Sequence, residues 1–333
     1  MQREEFFKEI ESIVNVIDEN EVFLIIGHVD PDGDCIGSMS AVAFYLNSLG
    51  KDVRCFVPGG VKKSLLRLPG AEFFVDDEGI EGFEPSVVFS LDAPTIARTA
   101  DIVKRNDHRI VINIDHHPSN EFYGDINLVD ASASATAVII FRILSTVSSG
   151  VITPEMANCL YLGILLDTGG FRFQNTNAEA LHTAGELIEL GADAAGLARD
   201  YLYVKKLSTL KVLARALESL EVYAEGRIAL MTITKEMVSE SGSSMEDTEG
   251  FVDYASSVDE VLLSALFREV NESETRVSLR SRNGYDVAAF AGKYGGGGHR
   301  TAAGLTIYAC IEEAKALILD GFLEMLERGV TAD

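Results

Sequence analysis

His28, Asp32 and Asp34 fall within one short stretch of the chain, and the same two kinds of side chain return at Asp92, at Asp115-His116-His117 and at Asp167. Imidazoles and carboxylates together are the donors that a borderline-hard divalent ion such as Mn²⁺ takes, whereas softer ions take thiolates. The first group sits in His28-Val29-Asp30-Pro31-Asp32-Gly33-Asp34. Proline and glycine make this an irregular loop, so its side chains are released from strand alternation and can be aimed at one point. A plainer reading is an aspartate-rich turn with a helix N-cap at Asp34. The later groups weigh against it, because each falls where an apolar run stops. An isolated ionised carboxylate at such a place is costly to desolvate, and a bound cation compensates it. A site with two ions roughly 3.5–4 Å apart needs about six or seven ligands, and the groups named supply them.

The elements that must hold these groups are legible as apolar runs. Residues 22–27 (VFLIIG) read as a buried strand leading to His28, 86–91 (SVVFSL) as one leading to Asp92, and 110–114 (IVINI) as one leading to Asp115. Residues 51–57 read as a further strand. A helix is expected over 34–49, ended by Gly50, and helical periodicity covers 95–105. Strand–helix–strand succession with continuous apolar strands predicts an α/β domain with a parallel sheet and flanking helices. Ligands of such sheets bind beyond the carboxyl ends of the strands.

From 135 to 190 the pattern turns helical. Pro154 is tolerated in the first turn of a helix running to about 166, just before Asp167. Ser132, Ser134 and Thr136 read first as capping residues where a helix opens, with a phosphate contact as a minor role. Residues 195–224 read as a helical connector. Strands return at 227–233, 261–270, 276–282 and 301–308, and a helix over 311–327 closes the chain. The expected organisation is a domain over 1–194, the connector, and a smaller α/β domain with a mixed sheet over 225–333.

Composition bounds what such a site can serve. A chain of 333 residues exceeds the roughly 250 that one core usually holds. With 28 basic and 52 acidic residues the net charge is -24, which argues against long duplex nucleic acid or an anionic membrane as partner. A small phosphorylated substrate remains compatible, because divalent cations reverse the field locally. The N-terminus lacks the basic start and apolar core of a signal peptide, and no apolar run reaches the roughly 18 residues of a membrane span. The four cysteines, Cys35, Cys55, Cys159 and Cys310, show no zinc spacing. They read as reduced thiols of a cytoplasmic protein. His108 and His182 read as surface or packing histidines, and Asp30 as a loop carboxylate.

The ordered set His28-x-x-x-Asp32-x-Asp34, Asp92, Asp115-His116-His117 and Asp167 resembles the DHH phosphoesterase superfamily. The later Arg280-Ser281-Arg282 and the run Gly295 to Gly298 followed by His299-Arg300-Thr301-Ala302-Ala303-Gly304 resemble its DHH-associated C-terminal domain. The match extends over nearly the whole chain in order, and the layout is similar to the nano-RNase and pAp phosphatase branch. The resemblance implies two Mn²⁺ ions, with Mg²⁺ as the alternative. His28 and Asp32 would hold the first, Asp34, His116 and Asp167 the second, and Asp92 would bridge them. It implies that His117 contacts the scissile phosphate and that Asp115 orients an imidazole.

In the C-terminal domain, Arg280 and Arg282 lie two apart on an expected strand, so they face one side and suit a phosphate through paired bonds. Gly296, Gly297 and Gly298 allow backbone to approach an anion. His299 suits a base, and Arg300 a phosphate or a partner. A flexible connector beside two surface arginines is the plainer alternative. The activity implied is hydrolysis of short oligoribonucleotides to mononucleotides and removal of the 3'-phosphate of 3'-phosphoadenosine 5'-phosphate (pAp). A rival is a phosphodiesterase for cyclic di-AMP or its linear product pApA. A rival of a different class is a catalytically silent nucleotide-binding protein. A homodimer is compatible with the sequence, which carries no heptad repeat to specify one.

Overall fold

The computed structural model describes residues 3–100, 102–103, 109–147 and 151–329. They form two compact units that divide between Val204 and Lys205. The first unit runs α1 (Arg3–Glu19), β1 (Val22–Ile26), α2 (Gly33–Ser48), β2 (Asp52–Phe56), β3 (Phe74–Val75), α3 (Asp77–Ile80), β4 (Val87–Leu91), β5 (Ile110–Asp115), β6 (Ile126–Val129), α4 (Thr136–Val147), α5 (Pro154–Asp167), α6 (Ala178–Glu189) and α7 (Ala194–Ala198). Its six strands are all parallel, in the order β3-β2-β1-β4-β5-β6. The chain order reverses between β1 and β4. Such a reversal leaves a crevice at the carboxyl ends of the two strands, the usual ligand position in open parallel sheets. The residues that follow these strands are His28 and Asp92.

β4 is buried along its whole length, as a strand covered on both faces should be. The two covers are unequal. Phe23, Ile25, Phe89, Ile112 and Ile114 join a large core with α1, α2, α4 and α5. Leu24, Ile26, Val88 and Val111 lie under a smaller cluster that includes Val103 and Tyr123. Between β4 and β5 the expected helix over 95–105 is a short turn, Ile96–Thr99, and Arg105 and His108 lie outside the described residues. Helices α2 and α5 approach closely enough to require glycine. A Cβ on Gly37 would stand 2.3 Å from the Cys159 carbonyl oxygen, and one on Gly163 2.8 Å from Asp34 Oδ1. This contact brings Asp34, at the start of α2, towards Asp167, at the end of α5.

The second unit runs α8 (Leu207–Glu218), β7 (Glu221–Tyr223), β8 (Ile228–Ile233), α9 (Lys235–Ser241), α10 (Val252–Ser256), β9 (Leu263–Asn271), β10 (Glu274–Ser281), α11 (Val287–Gly292), β11 (Gly297–His299), β12 (Ala302–Ile307) and α12 (Ile311–Arg328). Its sheet is mixed, in the order β11-β12-β10-β9-β8-β7, with only β8 and β9 parallel. Val277, Leu279, Ala303, Leu305 and Ile307 face α11 and α12. The expected connector is divided. Residues 194–203 stay with the first unit, while α8 packs Val212, Leu213 and Ala216 onto Ala229, Met231 and Leu266 of the second sheet. Buried leucine and valine at helical spacing give α8 a core face that a free linker would not carry. None of the described helices is long and apolar enough to cross a membrane.

Candidate functional site

Asp92 follows β4 with its backbone in the left-handed region at φ 58, a conformation that costs a non-glycine residue strain. Its neighbour is fixed from below: the Ala93 carbonyl accepts hydrogen bonds from Tyr123 Oη at 2.8 Å and Asn113 Nδ2 at 3.4 Å. The carboxylate is 1% exposed, and its two oxygens look in different directions. Oδ2 lies 3.5 Å from His28 Nε2, while Oδ1 lies 3.6 Å from His116 Nε2 and 3.6 Å from His117 Nδ1. Thr136 Oγ1 donates to the same Oδ1 at 2.9 Å.

Asp34 is equally buried. Its oxygens accept from the backbone amides of Thr136 at 2.6 Å and Ala137 at 2.9 Å, the first turn of α4. The carboxylate of one helix thus caps another, where the helix dipole favours negative charge. The hydroxyl of Thr136 is spent on Asp92, so the expected local cap is replaced by a residue 102 positions away. The cap of α2 also differs from the one that the plainer reading of the preceding loop names. It is Asp32, whose Oδ1 accepts from the amides of Asp34 and Cys35, both at 3.0 Å. Asp34 is the second residue inside the helix.

His116 Nδ1 lies 3.4 Å from the Ala133 carbonyl, which orients Nε2 towards Asp92 and Asp167, the latter at 3.8 Å. Asn175 Nδ2 donates to Asp167 Oδ2 at 3.2 Å. Asp115 is fully buried at the end of β5. Its Oδ1 accepts from the His116 amide at 2.8 Å, the His117 amide at 3.2 Å and His117 Nδ1 at 2.7 Å, and its Oδ2 from Asn120 Nδ2 at 2.6 Å. The bond from His117 Nδ1 turns Nε2 of that ring away from Asp115. Beside His28 Nδ1 stand two groups with opposite demands: the Val29 carbonyl at 2.8 Å, which takes a proton, and Arg98 Nη2 at 2.9 Å, which gives one. The tautomer that donates to Val29 leaves the Nε2 lone pair facing Asp92.

Charge is badly balanced in this cluster. Burial, together with Asp34 and Asp32, pushes the Asp92 carboxyl well above its ordinary value. Burial likewise raises Asp34, and raises Asp167 to about 8 with the help of Asp34 and Asp32. Burial opposes a charge on His116, yet Asp167, Asp92, Asp34 and Asp115 overcome it and raise the imidazole to about 9. Asp115 behaves differently. Burial works to raise it, but the bonds from His117 and Asn120 prevail and hold it below the ordinary value. The carboxylates of Asp34, Asp92 and Asp167 therefore lack positive charge, and Asp115 does not.

The donor set fits divalent cations. Ligand atoms of Asp92, His116 and His117 lie within 4.8 Å of one another, as do those of Asp34, His116 and Asp167, and those of His28, Cys35 and Asp92. Cys35 joins the third group by position only, because burial and the nearby aspartates push its thiol far up and keep the proton on sulfur. Asp32 belongs to none of these groups and is exposed. Sequence reasoning missed Thr136 as a partner of Asp92, and Arg98, Asn120 and Asn175 altogether. Only Asn120, five residues after Asp115 in the same turn, carried a local signal. His182 is exposed on α6, and Asp30 is an exposed loop residue with φ 54.

In the second unit the glycine run is an edge strand rather than a flexible connector. Gly298 pairs with Ala303 at φ 142, and a Cβ there would stand 2.4 Å from the Ala302 carbonyl oxygen. A Cβ on Gly296 would meet the Gly304 carbonyl oxygen at 2.3 Å. These glycines serve the close approach of β11 to β12, while a Cβ on Gly297 would meet nothing. His299 ends that strand in an exposed position. Arg300 Nη2 donates to the Gly284 carbonyl at 3.2 Å. Arg280 is half-buried on β10 with its Nε 2.9 Å from Asp253 Oδ1. Arg282 lies past the end of β10 and is exposed.

Comparison with known proteins agrees with this architecture. The DHH family, N-terminal domain, matches residues 22–164, and the DHHA1 domain matches residues 227–328. The chain is 33% identical to the bifunctional oligoribonuclease and PAP phosphatase NrnA of Thermus thermophilus, over 91% of this chain and 90% of that protein. It is 28% identical to the protein of the same name from Bacillus subtilis, over 92% and 96%. A crystal structure of an exopolyphosphatase-related protein from Bacteroides fragilis superposes with a TM-score of 0.90 at 28% identity, covering 95% of this chain and 96% of that one.

Proposed function

Starting from the chain's membership of the DHH family of phosphoesterases, we propose that it hydrolyses short oligoribonucleotides to mononucleotides and removes the 3'-phosphate of pAp. The observation that carries this reading is Asp92: a buried carboxylate whose two oxygens face different imidazoles amid further carboxylates short of positive charge. His28 and Asp32 would hold one Mn²⁺ ion, Asp34, His116 and Asp167 a second, and Asp92 would bridge them, Asp32 through the oxygen its helix cap leaves unused. When bound, the ions supply Lewis acidity, activating water and neutralising the phosphate and leaving oxygens.

The protein's own groups do the rest. Asp115 is buried and bonded on both oxygens, so it fixes the ring of His117 and with it the direction of Nε2. That ring is the group proposed to contact the scissile phosphate. The Ala133 carbonyl fixes His116 in the same manner. Orientation by an outer hydrogen bond makes an imidazole a better-placed ligand. Arg280, Arg282, Gly296, Gly297, Gly298, His299 and Arg300 would receive the nucleotide, with His299 placed to stack on a base. Arg280 already has a carboxylate partner in Asp253, so an incoming phosphate would share or displace it.

The test is a competition. Purified protein with Mn²⁺ is offered pApA, pAp, cyclic di-AMP and a short polyphosphate in equal amounts, and the products are followed by chromatography. Early loss of pApA and pAp, giving AMP, is expected. Early loss of cyclic di-AMP would move the protein to second-messenger hydrolysis. Loss of nothing, with metal bound, would make it a silent nucleotide-binding protein.

A further inference from the structure

Along β10 the residues Val277 and Leu279 point into the core, so Arg276, Ser278 and Arg280 lie on the opposite face. Their partners on β9 are Arg268, Leu266 and Ser264, and on β12 they are Thr306, Gly304 and Ala302. Arg268 and Arg276 are therefore a direct cross-strand pair. Like charges in that position destabilise a sheet. The half-buried Arg268 gives one hydrogen bond, from Nη2 to Ser278 Oγ at 3.0 Å, while its Nε is shielded from solvent and meets no acceptor. Among the described residues neither Arg268 nor Arg276 is ion-paired with a carboxylate; on this stretch only Arg280 has one. Burial, with the positive charges of Arg276 and Arg280, depresses the proton affinity of Arg268 against the pull of Glu249. Beside Ser278 the surface is floored by Gly304 and Gly297, which carry no side chain to fill it.

On this sheet face Asp253 answers Arg280, which leaves the guanidiniums of Arg268 and Arg276, beside a hydroxyl and two glycines, without a carboxylate ion pair among the described residues. We propose that Arg268, Ser278 and Arg276 form a subsite for a phosphate group of the substrate that is not being cleaved. Arginine forks and a hydroxyl match phosphate oxygens. The glycine floor gives the phosphate room to lie against the strands. This deepens the nucleotide-hydrolase reading and rests on it for the identity of the ligand.

The experiment uses the full chain in two states. In EDTA, where hydrolysis is blocked, binding of pAp and of adenosine is measured by calorimetry for the wild type, Arg268→Met and Arg276→Gln. The wild type should bind pAp at least about tenfold tighter than adenosine, the value of one or two charge-assisted hydrogen bonds. Each variant should lose most of that gap while its adenosine affinity stays the same. With Mn²⁺, Arg276→Gln should raise KM for pApA several-fold with kcat nearly unchanged. Arg276 is exposed, so this variant keeps the fold even if Arg268→Met does not. A retained gap, or an equal loss for both ligands, overturns the subsite. A gap that depends on Arg268 and Arg276 in a protein that hydrolyses neither pAp nor pApA keeps the subsite and overturns the function instead.

Discussion

At the carboxyl ends of β1, β4 and β5, together with the adjoining ends of α2 and α5, the carboxylates of Asp34, Asp92, Asp115 and Asp167 surround the imidazoles of His28, His116 and His117. On the face of the second sheet opposite α11 and α12, Arg268, Arg276 and Arg280 stand on two neighbouring strands. Both clusters are polar, partly or wholly buried, and short of opposite charge. They differ in how the chain tolerates the shortage. Asp34, Asp92 and Asp167 hold protons more readily than ordinary carboxylates, so their charge can be withheld until a cation replaces the protons, while Asp115 is satisfied by His117 and Asn120. The guanidiniums cannot release theirs, so that cluster relies on partial exposure and on Asp253. A titratable site can be buried deeply, whereas a permanently charged one has to stay near the surface.

The largest test of this contrast is Asp92→Asn. It should lower kcat by about a thousandfold or more, since the role proposed for Asp92 makes it a ligand of both ions. Circular dichroism should be unchanged, because asparagine accepts the left-handed backbone that Asp92 occupies. Substantial residual turnover would refute the bridging role.

The protonation contrast is sharpened by pH. Against ordinary values of 6.5 and 3.8, His116 at about 9 and Asp167 at about 8 are both raised in the folded, metal-free protein. Between those limits the folded form binds more protons than the unfolded one, so this stabilisation is complete at low pH and is lost as pH rises through the folded values. The melting temperature in EDTA should fall between pH 6 and pH 9, and the rise produced by Mn²⁺ should be larger at pH 8 than at pH 6. An EDTA melting temperature that climbs over this range would contradict the assignment.

Asp115→Asn should cost about ten- to a hundredfold in activity, the usual effect of removing a group that orients a site imidazole. The loss should fall on kcat, with metal content largely retained. Arg280→Ala combined with Arg282→Ala should raise KM for pAp by about tenfold, with a smaller effect on a minimal aryl phosphodiester. An equal effect on both substrates would make the arginines structural. The smallest change is Thr136→Val, which removes one hydrogen bond to Asp92 and should destabilise the fold by about 1–2 kcal/mol in a melting experiment.

Much of this frame is visible in the sequence. Long apolar strands such as 86–91 ending at Asp92 announce both their burial and the place where a ligand can be reached. β3, β6, β7 and β11 are short edge strands of two to four residues, and they lack an apolar run long enough to be read. Arg98 and Asn175 touch His28 and Asp167 because the chain folds back 70 and 8 residues away from them, and nothing in their local sequence marks that contact. The plainer reading of the first loop puts the cap of α2 at Asp34, two positions from the actual Asp32, since the two are equally good capping residues by type. What separates them is α4, which claims the carboxylate of Asp34 from across the fold.

That claim sets an order in which this chain would lose its parts if hydrolysis ceased to matter. Asp167, whose carboxylate is held by Asn175 at the edge of the cluster, would drift early. Asp34 would persist, because any neutral, shorter side chain there strands the amides of Thr136 and Ala137 in a buried place. In descendants of this fold, an aspartate at that position testifies to architecture, and the evidence for chemistry has to be sought in its neighbours.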